Sequence, residues 1–197
     1  MTASRTRTRL SPDARRTQLL DTAKEMLVAS GLQAFTMEGL AREAGVSAPL
    51  VYNYFTGRSQ LLQELLIREY HQFVAETSEA LSEAKDFEDI VRISVTSNFD
   101  HHAPGKILPL LQSQPEIACV IKEDQQRVSR GNAKFLVESA AHHYQLTTKE
   151  AQLAVSMSSG ASVTAAELAA NAKLDRRETI ELAVNYILAG IQRVGGS

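Results

Sequence analysis

The 197-residue sequence has little cysteine, proline or glycine: one cysteine (Cys119), five prolines and ten glycines. A single cysteine excludes a disulfide framework within the chain and a zinc module built on cysteines. We expect Cys119 to be a small buried residue in a reducing compartment. So few prolines and glycines also exclude collagen-like and low-complexity chains.

The sequence also has no long hydrophobic run. Its longest stretch without Asp, Glu, Lys or Arg, residues 151–166, contains several Ser, Gln, Thr and Gly residues. A membrane-spanning helix needs about 20 mostly apolar residues. The basic N-terminus is not followed by the apolar segment of a secretory signal. We therefore expect a cytoplasmic protein with no membrane partner.

The charge of the chain is unevenly distributed. Hydrophobic residues make up 44% and charged residues 22% of the sequence, which is typical of a globular protein. Residues 1–58 contain eight Lys or Arg and five Asp or Glu, whereas the rest contains thirteen and eighteen, for a net charge of −2. This asymmetry indicates that only the N-terminal part meets a polyanion.

Apolar residues recur every three or four positions, and no segment alternates convincingly, which predicts an all-α fold of about nine helices. Ser11 and Pro12 open the first helix, and Gly31 ends it. Pro115 opens a long helix. Thr147 and Glu150 have the spacing of a capping box at the start of a later one.

Residues 36–55 read TMEGLAREAGVSAPLVYNYF and have the pattern of a helix-turn-helix. Leu40 and Ala44 are expected to face inward, and Gly45 supplies the positive φ of a sharp turn. Val46 and Val51 complete the small core. The second helix of the motif then projects five side chains, which suits the major groove of DNA. These side chains are Ala48, Pro49, Leu50, Tyr52 and Asn53.

The stretch 16–62 resembles the N-terminal domain of the TetR family of bacterial repressors. The resemblance rests on the joint spacing of Ala23, Gly31, Thr36, Leu40, Ala41, Ala44-Gly45-Val46-Ser47, Tyr52, Tyr54-Phe55 and Leu61-Leu62. Beyond this stretch it covers only total length and the all-helical pattern. It implies a helix-turn-helix DNA-binding domain over 1–57, with a basic arm over 1–10. It also implies a larger helical ligand-binding and dimerisation domain over 58–197.

The resemblance further implies that the third helix reads DNA. Asn53 would bond an adenine, and Pro49 or Leu50 would meet a thymine methyl group. The tyrosines, Thr36 and Arg58 would mainly hold phosphates. The DNA-binding residues expected from the motif and the following helix are Thr36, Ser47, Ala48, Pro49, Leu50, Tyr52, Asn53, Tyr54 and Arg58.

Two positions depart from the family pattern. Arg58 stands where the family usually has lysine, which keeps the charge and adds a planar fork. Glu38 lies on the second helix where some members carry a base-reading basic residue. Its carboxylate would repel phosphate, which argues against base reading from that helix.

The N-terminal arm alternates Arg5, Arg7 and Arg9 with threonines. These arginines either follow DNA into the minor groove or form a solvated tail. The sequence leaves both interpretations open.

The resemblance implies a homodimer that forms through the last two long helices. The small residues Ala161 and Ala165 suit close helix approach, either within the domain or across a twofold axis. The final helix is the stronger candidate for the interface, through Ile180, Val184, Ile187 and Ile191. The family's cavity lies among the middle helices, so Phe99, Leu111 and Phe135 are candidate ligand-binding residues, although such apolar stripes are more typical of a core.

No catalytic fingerprint is present, and no cofactor is expected. The adjacent pairs His101-His102 and His142-His143 cannot share one helix face, and neither has a carboxylate at a recognised metal spacing. The resemblance implies a ligand-responsive repressor that binds a near-palindromic double-stranded operator as a homodimer and is released by a small-molecule effector. The alternative is a helical small-molecule-binding adaptor that keeps the fold without reading DNA.

Overall fold

The computed structural model describes residues 10–101, 103 and 105–195, with the backbone alone for residues 129 and 132. Within these ranges every regular element is helical, which confirms the all-α fold class. The helices are α1 Pro12–Ala34, α2 Met37–Glu43, α3 Ala48–Tyr54, α4 Arg58–Ser82, α5 Phe87–His101, α6 Ile107–Gln112, α7 Pro115–Ala118, α8 Lys122–Tyr144, α9 Thr148–Ala172 and α10 Arg176–Gly195.

The chain divides into two compact units, residues 1–65 and 66–197. The division falls inside α4, so this helix begins in the first unit and ends in the second. The boundary that the sequence predicts, between residues 57 and 58, lies at the start of the same helix and stays a prediction.

The first unit is built on α1. The Ser11 hydroxyl accepts a hydrogen bond from the Ala14 amide at 3.2 Å, and Pro12 occupies the first turn without costing an amide bond. Gly31 interrupts the helix with a φ of 76° and a ψ of 174°, a conformation open to glycine alone. Buried side chains from all four helices form the core: Leu19, Leu20, Ala23, Leu27, Leu40, Val51, Leu61, Leu62 and Leu65.

The second unit packs α5, α8, α9 and α10 against one another. Thr147 and Glu150 form the expected capping box: the Glu150 amide donates to the Thr147 hydroxyl at 3.3 Å, and the Thr147 amide donates to the Glu150 carboxylate at 2.8 Å. The two bonds satisfy amides at the N-terminus of α9 that have no partner within the helix.

Two expectations for the second unit are wrong. The helix that opens at Pro115 ends at Ala118, and a 3₁₀ turn over Cys119–Ile121 separates it from α8. Ile117 and Ile121 are both buried, so the tighter turn keeps these two apolar side chains on the core side. Cys119 is exposed rather than buried because it lies on the opposite side of this turn.

Candidate nucleic-acid interface

A tight bend at Gly45 ends α2. Gly45 has a φ of 65°, and the Val46 amide returns to the Ala41 carbonyl at 2.9 Å, as in a left-handed helix cap. At the other end of α2, the Thr36 hydroxyl accepts a hydrogen bond from the Gly39 amide at 3.0 Å. Both ends of α2 are therefore fixed, and α3 starts at Ala48 after a short turn.

Helix α3 buries one residue and presents the others. Val51 is fully buried and anchors the helix. Pro49, Tyr52 and Asn53 are exposed, while Ala48, Leu50 and Tyr54 are half-buried. A seven-residue helix has only two turns, so one buried anchor leaves its opposite face exposed. A helix exposed in this way can enter the major groove of DNA.

Ser47 occupies the position that precedes α3, but its side chain caps no amide of this helix. Ser47 is in the extended conformation of a cap residue, without the side-chain hydrogen bond. The exposed hydroxyl is not used by α3, and phosphate oxygens commonly accept hydrogen bonds from serine hydroxyls at such positions.

Glu38 and Tyr52 form a polar pair between α2 and α3. The Tyr52 hydroxyl donates to the Glu38 carboxylate at 3.3 Å. Desolvation first, and then the charge and hydrogen bond of Glu38, raise the pKa of Tyr52 above its ordinary value. The phenol consequently keeps its proton at neutral pH and remains a donor. Glu38 lies in the first turn of α2, where a negative charge also favours the helix dipole.

Arg58, an expected phosphate contact, bonds to its own unit. Its Nη2 donates to the Leu32 carbonyl at 2.7 Å and its Nε donates to the Phe35 carbonyl at 3.3 Å. These carbonyls follow the break in α1 at Gly31, so the guanidinium caps the C-terminal end of that helix. The phosphate contact stays a prediction, and the structure adds a stabilising role that the sequence did not reveal.

Arg16 contacts the C-terminal end of α3 and stabilises it, a role that the sequence did not indicate. Its guanidinium pairs with Glu64 on α4 and donates from Nη1 to the Tyr54 carbonyl at 3.2 Å. It also lies over the Phe55 ring, 4.8 Å from the centroid. No sequence signal could have found these contacts because Arg16 and Glu64 are 48 positions apart.

The remaining DNA-binding candidates, Arg5, Arg7 and Arg9, lie outside the described residues. Both interpretations of the N-terminal arm, a DNA-following arm and a solvated tail, therefore stay predictions.

The second unit contains a cavity of about 640 Å³ among α4, α5, α8, α9 and α10. The three expected ligand-binding residues are not among its described lining. Phe99 and Leu111 are buried elsewhere in the packing, and Phe135 is 42% exposed beside a separate surface groove. Helical spacing placed these residues on apolar faces but could not distinguish a packed face from a cavity wall.

The apolar residues of α10 face inward. The four expected interface residues, Ile180, Val184, Ile187 and Ile191, are at most 5% exposed and belong to the core of their own unit. Their place in a dimer interface stays a prediction. Ala161 and Ala165 are half-buried. The exposed large apolar residues of α9 and α10 are instead Leu153, Met157, Leu168, Leu182 and Tyr186.

Among the helices that the structure describes, none is long and apolar enough to cross a membrane. Within the same ranges, no three His, Cys, Asp or Glu side chains come together in a way that could hold a metal ion.

A short helix presented by a glycine turn, followed along the chain by a second all-helical unit, is typical of helix-turn-helix transcriptional regulators. Residues 19–65 match the sequence model described as "Bacterial regulatory proteins, tetR family". This match lies within the first unit of the chain, and the relatives named below carry the names of transcriptional regulators.

Relatives of known name extend this similarity beyond the N-terminal unit. The chain is 32% identical over 120 residues to the HTH-type transcriptional activator FasR of Mycolicibacterium smegmatis, a match that covers 58% of this chain and 55% of FasR. It is 28% identical over 147 residues to the HTH-type transcriptional regulator BetI 1 of Chromohalobacter salexigens, which covers 71% of each chain.

Among solved structures, the fatty acid degradation regulator FadR from Bacillus halodurans superposes with a TM-score of 0.61 at 20% identity. The superposition covers 92% of this chain and 97% of FadR. At this identity the likeness establishes the fold alone.

Proposed function

We propose that the chain is a ligand-responsive repressor that binds a near-palindromic operator as a homodimer and is released by a small-molecule effector. The observation that carries the proposal is the outer face of α3. There, Pro49, Tyr52 and Asn53 are exposed on a helix that Val51 anchors. The proposed target is operator DNA, so we place the protein in the cytoplasm.

Some side chains of α3 are suited to contact bases and others to contact phosphates. An asparagine amide can make a bidentate contact to adenine, and proline offers an apolar surface to a thymine methyl group. Tyr52 keeps its proton, and its hydroxyl can donate to phosphate in place of the Glu38 carboxylate. Asn53 therefore contributes to sequence preference, whereas Tyr52 and Ser47 contribute to affinity.

Helix α4 provides a physical connection between DNA binding and ligand binding. Its first turns carry Leu61 and Leu62 in the core of the first unit. Its later turns carry Tyr70, Phe73 and Thr77 in the lining of the cavity. A ligand that favours one position of this helix shifts the population of DNA-competent molecules by its difference in affinity for the two states.

Two copies are required for a near-palindromic site, with reading helices about 34–36 Å apart. The exposed apolar residues of α9 and α10 support self-association. Leu153, Met157 and Leu168 follow one stripe of α9, and Leu182 and Tyr186 lie four positions apart on α10. Apolar patches of this kind mark protein–protein contacts.

The test begins with selection of binding duplexes from a random pool, followed by titration of the selected site at increasing salt. We expect a steep log–log salt dependence because phosphate contacts release counterions. Asn53→Ala should relax the preference at one base position, and Asn171→Ala, an exposed asparagine on α9, should not. A salt slope near zero with no selected sequence would instead favour the adaptor.

The direction of regulation has its own measurement. The relative FasR carries the name of an activator, so a reporter gene behind the selected duplex separates the two possibilities. Lower reporter expression in the presence of the protein supports a repressor, and higher expression contradicts it.

A further inference from the structure

The cavity of the second unit has no formal charge among its described lining residues. Its wall consists of aliphatic, aromatic, hydroxyl and amide side chains from α4, α5, α8, α9 and α10, with no Asp, Glu, Lys, Arg or His. A volume of about 640 Å³ lies within the range of small-molecule sites. The chemistry of the wall therefore constrains what the cavity can bind.

One side of the cavity is polar and preorganised. Ser94, Ser97 and Asn98 lie at relative positions i, i+3 and i+4 of α5 and share one face. The Asn98 amide donates to the buried Ser162 hydroxyl of α9 at 3.0 Å. Ser97 and Thr77 of α4 share a hydrogen bond of 2.7 Å. Hydroxyl and amide groups of this kind both donate and accept, so they match neutral carbonyl and hydroxyl groups.

The other side of the cavity is apolar. Phe87 and Val91 of α5 contribute to it, together with Leu136 and Val137 of α8 and Ile187 of α10. Phe87 itself is held by the Tyr144 ring at 5.3 Å in an edge-to-face contact. A ligand that fills this space needs a hydrocarbon body on this side.

The charged groups near Tyr70, at the edge of the cavity, are compensated. The Asp124 carboxylate accepts from Arg127 at 2.7 Å and lies 3.4 Å from the His71 ring nitrogen. Desolvation first, and then Asp124, raise the pKa of Tyr70, while Arg127 lowers it. Tyr70 therefore stays a neutral phenol and supplies no charge to a ligand.

From this wall we infer that the effector of the proposed regulator is an uncharged amphipathic molecule, with a hydrocarbon body and a hydroxyl or carbonyl group directed at Asn98 and its serine neighbours. The role of this molecule as an effector rests on the proposed function, whereas its chemical class rests on the cavity alone. A carboxylate, phosphate or ammonium group would enter the cavity without a counter-charge, and burying an unpaired charge is costly.

Three probes with the same ten-carbon chain test the ligand class: 1-decanol, decanoate and decylammonium. Isothermal titration and thermal shift of the full chain at neutral pH measure their binding. We expect 1-decanol to bind about tenfold or more tightly than either ion, because only the ions lose hydration without gaining a partner. Equal or tighter binding of an ion, or no binding of 1-decanol, overturns the inference.

A charge added to the wall should reverse the preference. Gln152 lines the cavity and is exposed, so Gln152→Arg can be introduced without burying a new charge in the core. This variant should gain decanoate binding, whereas Gln126→Arg, at an exposed position of α8 outside the described lining, should not. Decanoate binding gained by both variants, or by neither, contradicts the assignment of the cavity.

The same titrations distinguish the inference from the proposed function. Binding of 1-decanol without release of the selected duplex would contradict the ligand response but leave the ligand class intact. Release of the duplex by decanoate and not by 1-decanol would support the ligand response but contradict the ligand class.

Discussion

The guanidinium of Arg16 on α1 and the carboxylate of Glu64 on α4 form an ion pair, with Nε and Oε2 at 2.9 Å. The same guanidinium holds the last carbonyl of α3, that of Tyr54, at 3.2 Å. One side chain thus ties three helices of the first unit together. A planar fork with several donors is suited to this task, and an ammonium group is not.

Arg16→Met should therefore lower the free energy of unfolding of the first unit by about 1–2 kcal/mol. A charge-assisted hydrogen bond is worth about 1.5–3 kcal/mol, and partial exposure of the pair reduces this value. Urea denaturation followed by circular dichroism measures the change. Arg15→Met is the matched control on the same helix, and a loss as large in the control would contradict a specific role for Arg16.

The bend at Gly45 predicts a second loss of stability. Alanine in the left-handed region costs about 1–2 kcal/mol, and the φ of Gly45 is 65°. Gly45→Ala should lower both the stability of the first unit and its affinity for the selected duplex. Gly57→Ala is the control because an added Cβ there meets nothing within 4 Å and Gly57 has no positive φ. Equal losses of stability and affinity in the two variants would contradict a specific role of the bend in DNA binding.

The sequence predicted much of this arrangement because its signals are local. The opening of α1 at Ser11 and Pro12, the bend at Gly45 and the anchor Val51 each depend on a few neighbouring positions, and the structure has them as expected. Short-range backbone chemistry is readable from the residue type alone.

The sequence could not predict contacts that the tertiary fold creates. Arg58 looks like a phosphate contact from its position at a helix start, but its donors meet carbonyls that lie 23 and 26 positions earlier in the chain. The stripe of Ile180 and Ile187 fits a dimer interface or a core equally well, and α5, α8 and α9 pack onto it. Amphipathic spacing identifies an apolar face without identifying what covers it.

The outer faces of α9 and α10 predict how self-association can be disrupted. Leu182 and Tyr186 are 69% and 70% exposed, so a charge there disturbs no core packing. Leu182→Glu with Tyr186→Glu should convert a dimer to a monomer by placing like charges across a twofold axis. Analytical ultracentrifugation measures the oligomeric state. Val28→Glu, at an exposed apolar position of α1, should leave the dimer intact, and a dimer that survives the double substitution would exclude this face.

Glu38 of α2 accepts a hydrogen bond from the hydroxyl of Tyr52 on α3 and so carries a negative charge beside the exposed face of that helix. Glu38→Gln keeps an oxygen acceptor for the tyrosine but removes a negative charge that would face phosphate. Affinity for the selected duplex and for random DNA should therefore rise by a similar factor, about two- to fivefold at low salt, because a Coulomb term of about 1 kcal/mol or less is involved and salt screens it. Fluorescence anisotropy at several salt concentrations measures both affinities.

Glu43→Gln, at the exposed end of α2, supplies the control for a general change in net charge. If its effect equals that of Glu38→Gln, the local position of Glu38 does not matter. If Glu38→Gln instead loses affinity for the selected duplex and not for random DNA, the conclusion is different. A carboxylate accepts from the exocyclic amine of cytosine, so such a loss would make Glu38 a base-reading residue and extend sequence recognition from α3 to α2.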